Sequence, residues 1–261
     1  MYYVYVHSTG TRPRPTVWRQ DMAKERADEA QPARRASDRG RYGRLSRDRV
    51  LASALALVDR EGLSALSMRR LGAELGVEAM ALYRYASSKD ALLDGLVEAL
   101  YLELESRLAA EPDPEAGALA WRAGLHRIAR ATYDVCLAHP QAAPLLTTRM
   151  LAVPLARRPV AVLRDHERIL ALLREGGLDD VRSAAVFQAL TAWLLGYVSV
   201  ELRPMVDNPD EPDPAFRLGL HRLSAQELPT LRETAASLAE RGGPEALATG
   251  LDALLDRFTR E

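Results

Sequence analysis

Between positions 67 and 89 the chain gathers side chains suited to touching nucleic acid: Ser67, Glu78, Tyr83, Arg84, Tyr85 and Lys89, set among Ala79, Met80 and Ala81. Two alanines offer methyl-sized surface to a thymine methyl, Met80 adds a flexible apolar probe, and the Glu78 carboxylate can accept from a cytosine amino group. Arg84 suits either guanine or a phosphate. Tyr83, Tyr85, Lys89 and the Ser67 hydroxyl suit phosphate, where contacts set register rather than read sequence. Packing between helices is the other reading of Tyr83, and one tyrosine serves both with ring and hydroxyl. Other chemistry finds little support. The chain has no Gly-rich phosphate loop and no G-x-S-x-G, and His166-Glu167 fails as a zinc-protease motif because Leu170 stands where the second histidine belongs. No enzyme activity, metal or cofactor is expected.

These side chains are useful only if short elements hold them in place. Ser67 can cap a helix in which Leu71 and Leu75 fall four apart on one face. Gly76 stands where a left-handed residue ends that helix, Val77 turns inward, and Glu78 opens a second helix over about 78–85. Gly72 leaves room where two steeply crossed backbones approach. Any helical hairpin shares the leucines and the glycine stop, so the polar residues are what distinguish this one. Upstream, Val50, Leu51, Ala54, Leu55 and Val58 form the stripe of a first helix that Glu61-Gly62 ends. Downstream, Leu92, Leu93, Leu96, Val97, Leu100, Leu104 and Leu108 predict one long helix up to Pro112.

Residues 46–104 resemble the DNA-binding domain of the TetR family of transcriptional regulators. The resemblance rests on the helix-turn-helix followed by Leu82-Tyr83, the basic Arg84, and Lys89 opening the fourth helix. It implies phosphate contacts at Tyr83 and Lys89 and base reading from the start of the second helix. Ala86 departs from the family, which usually has a large apolar residue there, and this puts the packing beneath the fourth helix in question.

The whole chain is nearly neutral, with 35 basic and 36 acidic residues, but the charge is unevenly spread. Residues 1–49 carry twelve Arg and Lys against six Asp and Glu, a net of +6, and the remainder carries −7. A basic end beside the helix-turn-helix suits phosphate, although a basic tail can equally serve solubility. Residues 1–43 lack helical periodicity and read as a flexible extension; the opening Met-Tyr-Tyr-Val-Tyr-Val has no basic region before it and is not a signal peptide. If present in the protein, the arginines at 34, 35, 39, 41 and 44 would follow phosphates or enter a minor groove. The single cysteine, Cys136, excludes an internal disulfide framework, fits a cytoplasmic protein, and reads as a buried inert thiol.

The expected fold class is all-α, with three parts: a basic extension over 1–43, a three-helix DNA-binding domain over 44–104, and a helical ligand-binding and dimerisation bundle over 105–261. In the bundle, breakers delimit helices near 115–138, 141–152, 158–175, 179–203, 225–241 and 244–260, with an acidic, proline-rich loop over 204–214. Residues 183–200 carry no charge, but Gln188, Thr191 and Ser199 and the absence of a second such span argue for a core helix and against a membrane. A helix apolar all round suggests burial against its own core and a second copy of the chain. Ala184, Gln188, Thr191 and Leu195, together with a seam of Leu247, Leu251, Leu254 and Phe258, are therefore the candidate homodimer interface; the seam could instead close the monomer's own bundle.

Large side chains on consecutive helices, Trp121, Leu125, Tyr133, Leu146, Met150, Phe187 and Trp193, with His126 as a polar candidate, are possible walls of a small-molecule pocket, each of which also fits ordinary core. His139 followed by Thr147-Thr148-Arg149 is similar to the tetracycline-repressor branch of the family, whose ligand and metal are not carried over. The resemblance implies a ligand-responsive repressor, a homodimer on a near-palindromic DNA operator. The alternative is a helical interaction or small-molecule-binding protein without specific DNA binding.

Overall fold

Ser46, Ser67 and Ser88 each turn a hydroxyl back to the amide three residues on, accepting from Arg49, Arg70 and Ala91 at 3.0–3.1 Å, and so fix where three helices begin. The computed structural model describes residues 45–112, 117–207, 211, 213, 216 and 219–259. The basic extension expected over 1–43 lies outside these. From the capped starts run α1 (Arg47–Glu61), α2 (Met68–Leu75) and α4 (Lys89–Ala110), with the one-turn α3 (Ala79–Leu82) between the last two. The remaining helices are α5 (Ala120–Ala138), α6 (Val160–Glu175), α7 (Asp180–Asp207), the short α8 (Pro229–Glu233) and α9 (Ala235–Ala239), and α10 (Gly243–Thr259). Among the described residues there is no strand, in keeping with the all-α expectation.

Helix α4 is the shared beam of the molecule. Its first half packs on α1, and its second half on α5 and α6. One face is therefore continuous apolar core, with Leu92, Leu96, Leu100, Leu104 and Leu108 all buried at a four-residue repeat. Salt bridges brace the head: Arg70 of α2 grips Glu61 at the end of α1 (2.6 Å), and Arg60 reaches Glu74 (3.1 Å). Ala86 is buried in the core cluster beneath α4, and its amide donates to the Leu82 carbonyl (3.0 Å).

Four boundaries differ from the sequence expectation. The second helix of the helix-turn-helix is a single turn, and Tyr83 to Tyr85 continue as a turn. The expected helix over 141–152 is a series of turns plus a π-helical segment, Leu146–Met150. There the Thr147 and Thr148 hydroxyls both donate to the Pro144 carbonyl (3.0 and 2.8 Å), competing with the backbone ladder and widening the turn. Helix α7 continues to Asp207 through Pro204, since one proline removes one hydrogen bond and nothing immediately after it stops a helix. The expected helix over 225–241 splits into α8 and α9 at Thr234, whose hydroxyl bonds back to the Thr230 carbonyl (2.9 Å).

The last helix packs within its own chain, the alternative the sequence left open for its seam. Leu247, Leu251 and Leu255, not Leu254, form the buried repeat of α10, which packs on α5 and α7 of its own chain. Leu195 is likewise buried, and Leu254 and Phe258 pack half-buried at its edge. The seam thus closes the monomer's bundle, because α10 must cover the apolar inner face of α7. That inner face is Val186, Leu190, Leu194, Val198 and Leu202. The opposite face, Ala184, Gln188, Ala192, Gly196 and Val200, is exposed along the helix.

Candidate nucleic-acid interface and core cavity

Gly72 and Gly76 hold α3 against α2. The Val77 amide donates to the Gly72 carbonyl (2.9 Å), and Gly76 ends α2 in the left-handed conformation, with φ of 67°. From this support Glu78, Met80, Tyr83, Arg84 and Lys89 project into solvent, with Met80 73% exposed, while Leu82 is completely buried. Among the described residues no acidic side chain pairs with Arg84 or Lys89, so both charges are available to phosphate or base. Ser67 is exposed, and its oxygen already accepts from the Arg70 amide, which leaves its hydrogen to donate outward.

Two expected contacts are corrected. Ala81 is 8% exposed and belongs to the core, so it presents no methyl to a base; Ala79 is half-buried against Gly72. Tyr85 packs its ring on the core and donates its hydroxyl to the Leu45 carbonyl (2.8 Å), tying the chain before α1 to the end of the reading segment. It supports the surface from behind.

Two polar latches join this head to the rest of the protein. Arg149, on the π-helical turn, bonds Asp94 (2.8 Å) and Asp90 (3.0 Å) in the first turns of α4, immediately after Lys89. His139, at the end of α5, sits between Asp59 of α1 (Nδ1, 2.7 Å) and Glu103 of α4 (Nε2, 2.8 Å). Both ring nitrogens donate only in the imidazolium form. Burial works against that charge, but hydrogen bonds and attraction from Asp59 and Glu103 outweigh it and raise the His139 pKa above its ordinary 6.5. The latch is thus complete below pH 6.5 and is lost as pH rises through the raised value.

Beneath the latches the bundle encloses two small cavities that share Tyr101 and Thr132. One, about 30 Å³, lies between α4, α5, α6 and α7 and is bordered by Ile128, Asp165, His166, Ile169, Leu190, Thr191, Leu194 and Leu195. The other, about 10 Å³, is bordered by Leu100, Leu104, Val135, Cys136 and Leu146. Burial pushes the Cys136 thiol up to about 12, so it is inert at neutral pH. Tyr101 donates to the Met150 sulfur (3.0 Å), and Met150 also borders an outer crevice of about 400 Å³ lined by Arg47, Asp94, Glu98, Arg149 and Arg158. Met150 therefore stands between crevice and core.

Of the eight expected pocket residues, Leu146 borders a cavity, Met150 borders the outer crevice and accepts from Tyr101, and Phe187 packs edge-on to His166 with ring centroids 5.0 Å apart. The others are placed elsewhere. Trp121 packs against Gly176, and Leu125 is buried core. His126 is paired with Asp252 near the surface (2.8 Å). Tyr133 and Trp193 flank Tyr197 in an aromatic cluster near the start of α10, where Glu201 accepts the Gly242 amide (2.8 Å). Thr191, expected at a dimer interface, faces the cavity. Sequence reasoning missed Tyr101, Thr132, Asp165 and His166. The last two had a signal, because positions 162, 165, 166, 169 and 173 share one face of α6 and the apolar ones among them are buried.

Two sequence profiles match the chain: "Bacterial regulatory proteins, tetR family" over residues 50–96 and "Tetracyclin repressor-like, C-terminal domain" over residues 111–258. The chain is 33% identical over 168 residues to the HTH-type transcriptional repressor DrrR1 of Streptomyces coeruleorubidus, covering 64% of this chain and 58% of that one. It is 34% identical over 157 residues to an HTH-type transcriptional regulator of Saccharopolyspora erythraea, covering 60% and 61%. It thus spans about three fifths of the length of these curated relatives. Among solved structures, Streptomyces coelicolor ActR in complex with actinorhodin superposes with a TM-score of 0.64 at 29% identity, covering 82% of this chain and 95% of ActR.

Proposed function

The chain belongs to the tetR family of bacterial regulatory proteins, and on that footing we propose that it is a cytoplasmic repressor that binds a near-palindromic DNA operator as a homodimer and is released by a small molecule. The observation that carries the reading is the one-turn α3, clamped through Gly72, with Glu78, Met80, Tyr83, Arg84 and Lys89 exposed beside it and no acid neutralising the two cations among the described residues. Such a surface fits the major groove, with Met80 and Glu78 at base edges and Tyr83, Lys89 and Ser67 at phosphate. Four residues cannot read a promoter alone. The exposed face of α7 is the surface we assign to the second copy, which keeps Ala184 and Gln188 of the expected interface and leaves the α10 seam to the monomer's own bundle. ActR was solved with actinorhodin bound, and we carry over a small-molecule effector in the bundle without carrying over its identity.

Release follows from the construction of α4. Leu100, Tyr101 and Leu104 border the cavities, while Lys89 opens the same helix at the reading surface. A molecule that displaces Tyr101 carries the bonded Met150 and the π-helical turn with it, and Arg149 on that turn pulls on Asp90 and Asp94. The separation of the two reading heads then no longer matches successive major grooves, about 34 to 36 Å apart.

Footprinting on the DNA upstream of the gene tests the assignment: protection should cover a near-palindrome, and a single asymmetric half-site would exclude the dimer. In a salt titration Lys89→Ala should weaken binding to all sites and reduce the slope by about one unit, whereas changes at Met80 or Arg84 should alter preference among sites. An unchanged slope removes Lys89 from the phosphate contacts.

The latches carry a separate expectation. Arg149→Ala should lower operator affinity roughly fivefold to tenfold by loosening the start of α4, an effect kept modest because Asp90 is largely exposed. Arg149→Lys should restore only part of it, since lysine lacks the planar fork. Raising the pH from 6 to 9 should lower the amide protection factors of α1 and α4 in the wild type, with the intrinsic base catalysis of exchange divided out, to those of His139→Ala and leave that variant's protection factors unchanged. An equal pH response in both proteins would dismiss the histidine latch.

A further inference from the structure

Helix α6 turns two polar side chains into the core. Asp165 is 4% exposed and His166 6%, and both border the cavity of about 30 Å³. Oδ1 of Asp165 and Nδ1 of His166 are buried without a hydrogen-bond partner. Burial pushes the Asp165 carboxyl up to about 6, and burial together with Arg158 pushes His166 down to about 4. Unpaired polar groups in a core destabilise it, so a fold that keeps them is complementary to a molecule that pairs them.

The other polar groups in the cavity decide what that molecule carries. Tyr101 spends its hydrogen on Met150 (3.0 Å), and Thr132 spends its hydrogen on the Ile128 carbonyl (2.8 Å). Both residues border the cavity with only acceptor capacity left on their hydroxyls, Asp165 adds an unpaired acceptor oxygen, and the complement is a donor. Burial excludes the two extremes, because a permanent cation or anion placed beside side chains only 4% and 6% exposed loses its hydration. The remaining walls are aliphatic, and Phe187 stands edge-on to His166.

We propose that the cavity binds a neutral ring compound that donates an O–H or N–H to Asp165 and makes its second polar contact with His166. This identifies the chemistry of the effector and rests on the regulator reading above. To enter, the bound molecule pushes α6 and α7 apart, since a cavity of about 30 Å³ is smaller than a ring compound, and once inside it pairs the two unpaired atoms.

Four probes built on one ring system test the proposal by calorimetric titration of the full chain: α-naphthol, naphthalene, α-naphthoate and α-naphthylmethylammonium. The wild type should bind α-naphthol at least tenfold more tightly than each of the other three. In Asp165→Leu, which keeps the side chain close in size and removes the acceptor, the advantage of α-naphthol over naphthalene should fall to within about twofold. If that variant does not fold, Asp165→Ser, which withdraws the carboxylate from the cavity, gives the same comparison. Tightest binding of the anion or the cation overturns the proposal. So does an advantage of α-naphthol that survives the substitution, or no binding of α-naphthol up to its solubility limit. Operator binding measured on the same preparations separates the two readings: a wild type that binds its operator but shows no preference for α-naphthol loses only the ligand assignment, and a wild type that binds no operator loses the regulator reading.

Discussion

Gly72→Ala should reduce operator affinity by roughly tenfold to a hundredfold while leaving the helical content of the protein unchanged. A Cβ at this position would lie 2.8 Å from the Val77 carbonyl oxygen and 3.2 Å from the Ala79 amide nitrogen. Both are backbone atoms of the turn and of α3, so no rotamer change can make room. The reading segment must lift away from α2, at a cost of about 1–3 kcal/mol for an overpacked contact, and Met80 and Arg84 move with it. Gly76 provides the contrast. Its φ of 67° strains any ordinary residue, yet open space surrounds its Cβ position, so Gly76→Asn should be tolerated where Gly72→Ala is not. Anisotropy with labelled operator, alongside circular dichroism, checks both; operator affinity within twofold of wild type in Gly72→Ala would show that α3 accommodates the methyl without moving.

Asp165→Asn should stabilise the protein at pH 8 by up to about 3 kcal/mol. The carboxyl rises from its ordinary 3.8 to about 6 because burial disfavours the charge, and at 1.36 kcal/mol per pKa unit the difference is about 3 kcal/mol. Between those values the folded protein holds a proton that the unfolded chain has released. Stability therefore falls as pH rises through the window from 3.8 to about 6, and the penalty is fully present above it. Asparagine avoids the charge but brings its own amide to satisfy, so the gain should approach 3 kcal/mol only if that amide finds an acceptor. Urea unfolding at pH 8 and pH 4 tests this. The variant should be the more stable at pH 8 and nearly equal to wild type at pH 4, and a difference independent of pH would assign the effect to packing.

The helix-turn-helix was legible because its signals are local. A serine cap, leucines four apart and a glycine stop act within one turn of chain, and the structure keeps all of them. What was not legible was which way Ala81 and Tyr85 face, because α3 has a single turn and periodicity needs more than one to define a side. Which side of α7 receives α10 is hard to read for a different reason. Residues 183–200 carry no charge, so the two faces look alike in sequence: Val186, Leu190, Leu194, Val198 and Leu202 lie inward, and Ala184, Gln188, Ala192, Gly196 and Val200 lie outward. The wholly apolar, bulkier face needs a cover, and α10 supplies it. Large apolar residues do not mark the cavity in the sequence, because they form ordinary core as well. Its distinguishing residues are Asp165 and His166, which within Asp165-His166-Glu167-Arg168 look like part of a solvated face. Only their register with Val162, Ile169 and Leu173 reveals that they point inward.

The space beside Asp165 is about 30 Å³, room for a water or two, whereas pockets for drug-sized molecules run from about 300 to 1,000 Å³. On the proposed reading an effector pushes helices apart rather than occupying a prepared hollow, and the work of opening would be the same displacement that carries α4 away from the position in which it binds DNA. Potency and efficacy then pull in opposite directions. Carving room in advance, for instance with Leu190→Ala, lets the effector bind with less opening and so more tightly, but each bound molecule then displaces α4 less and releases less DNA. In such a protein the tightest ligand need not be the strongest inducer, and a compound that fits without prying the core open would compete as an antagonist.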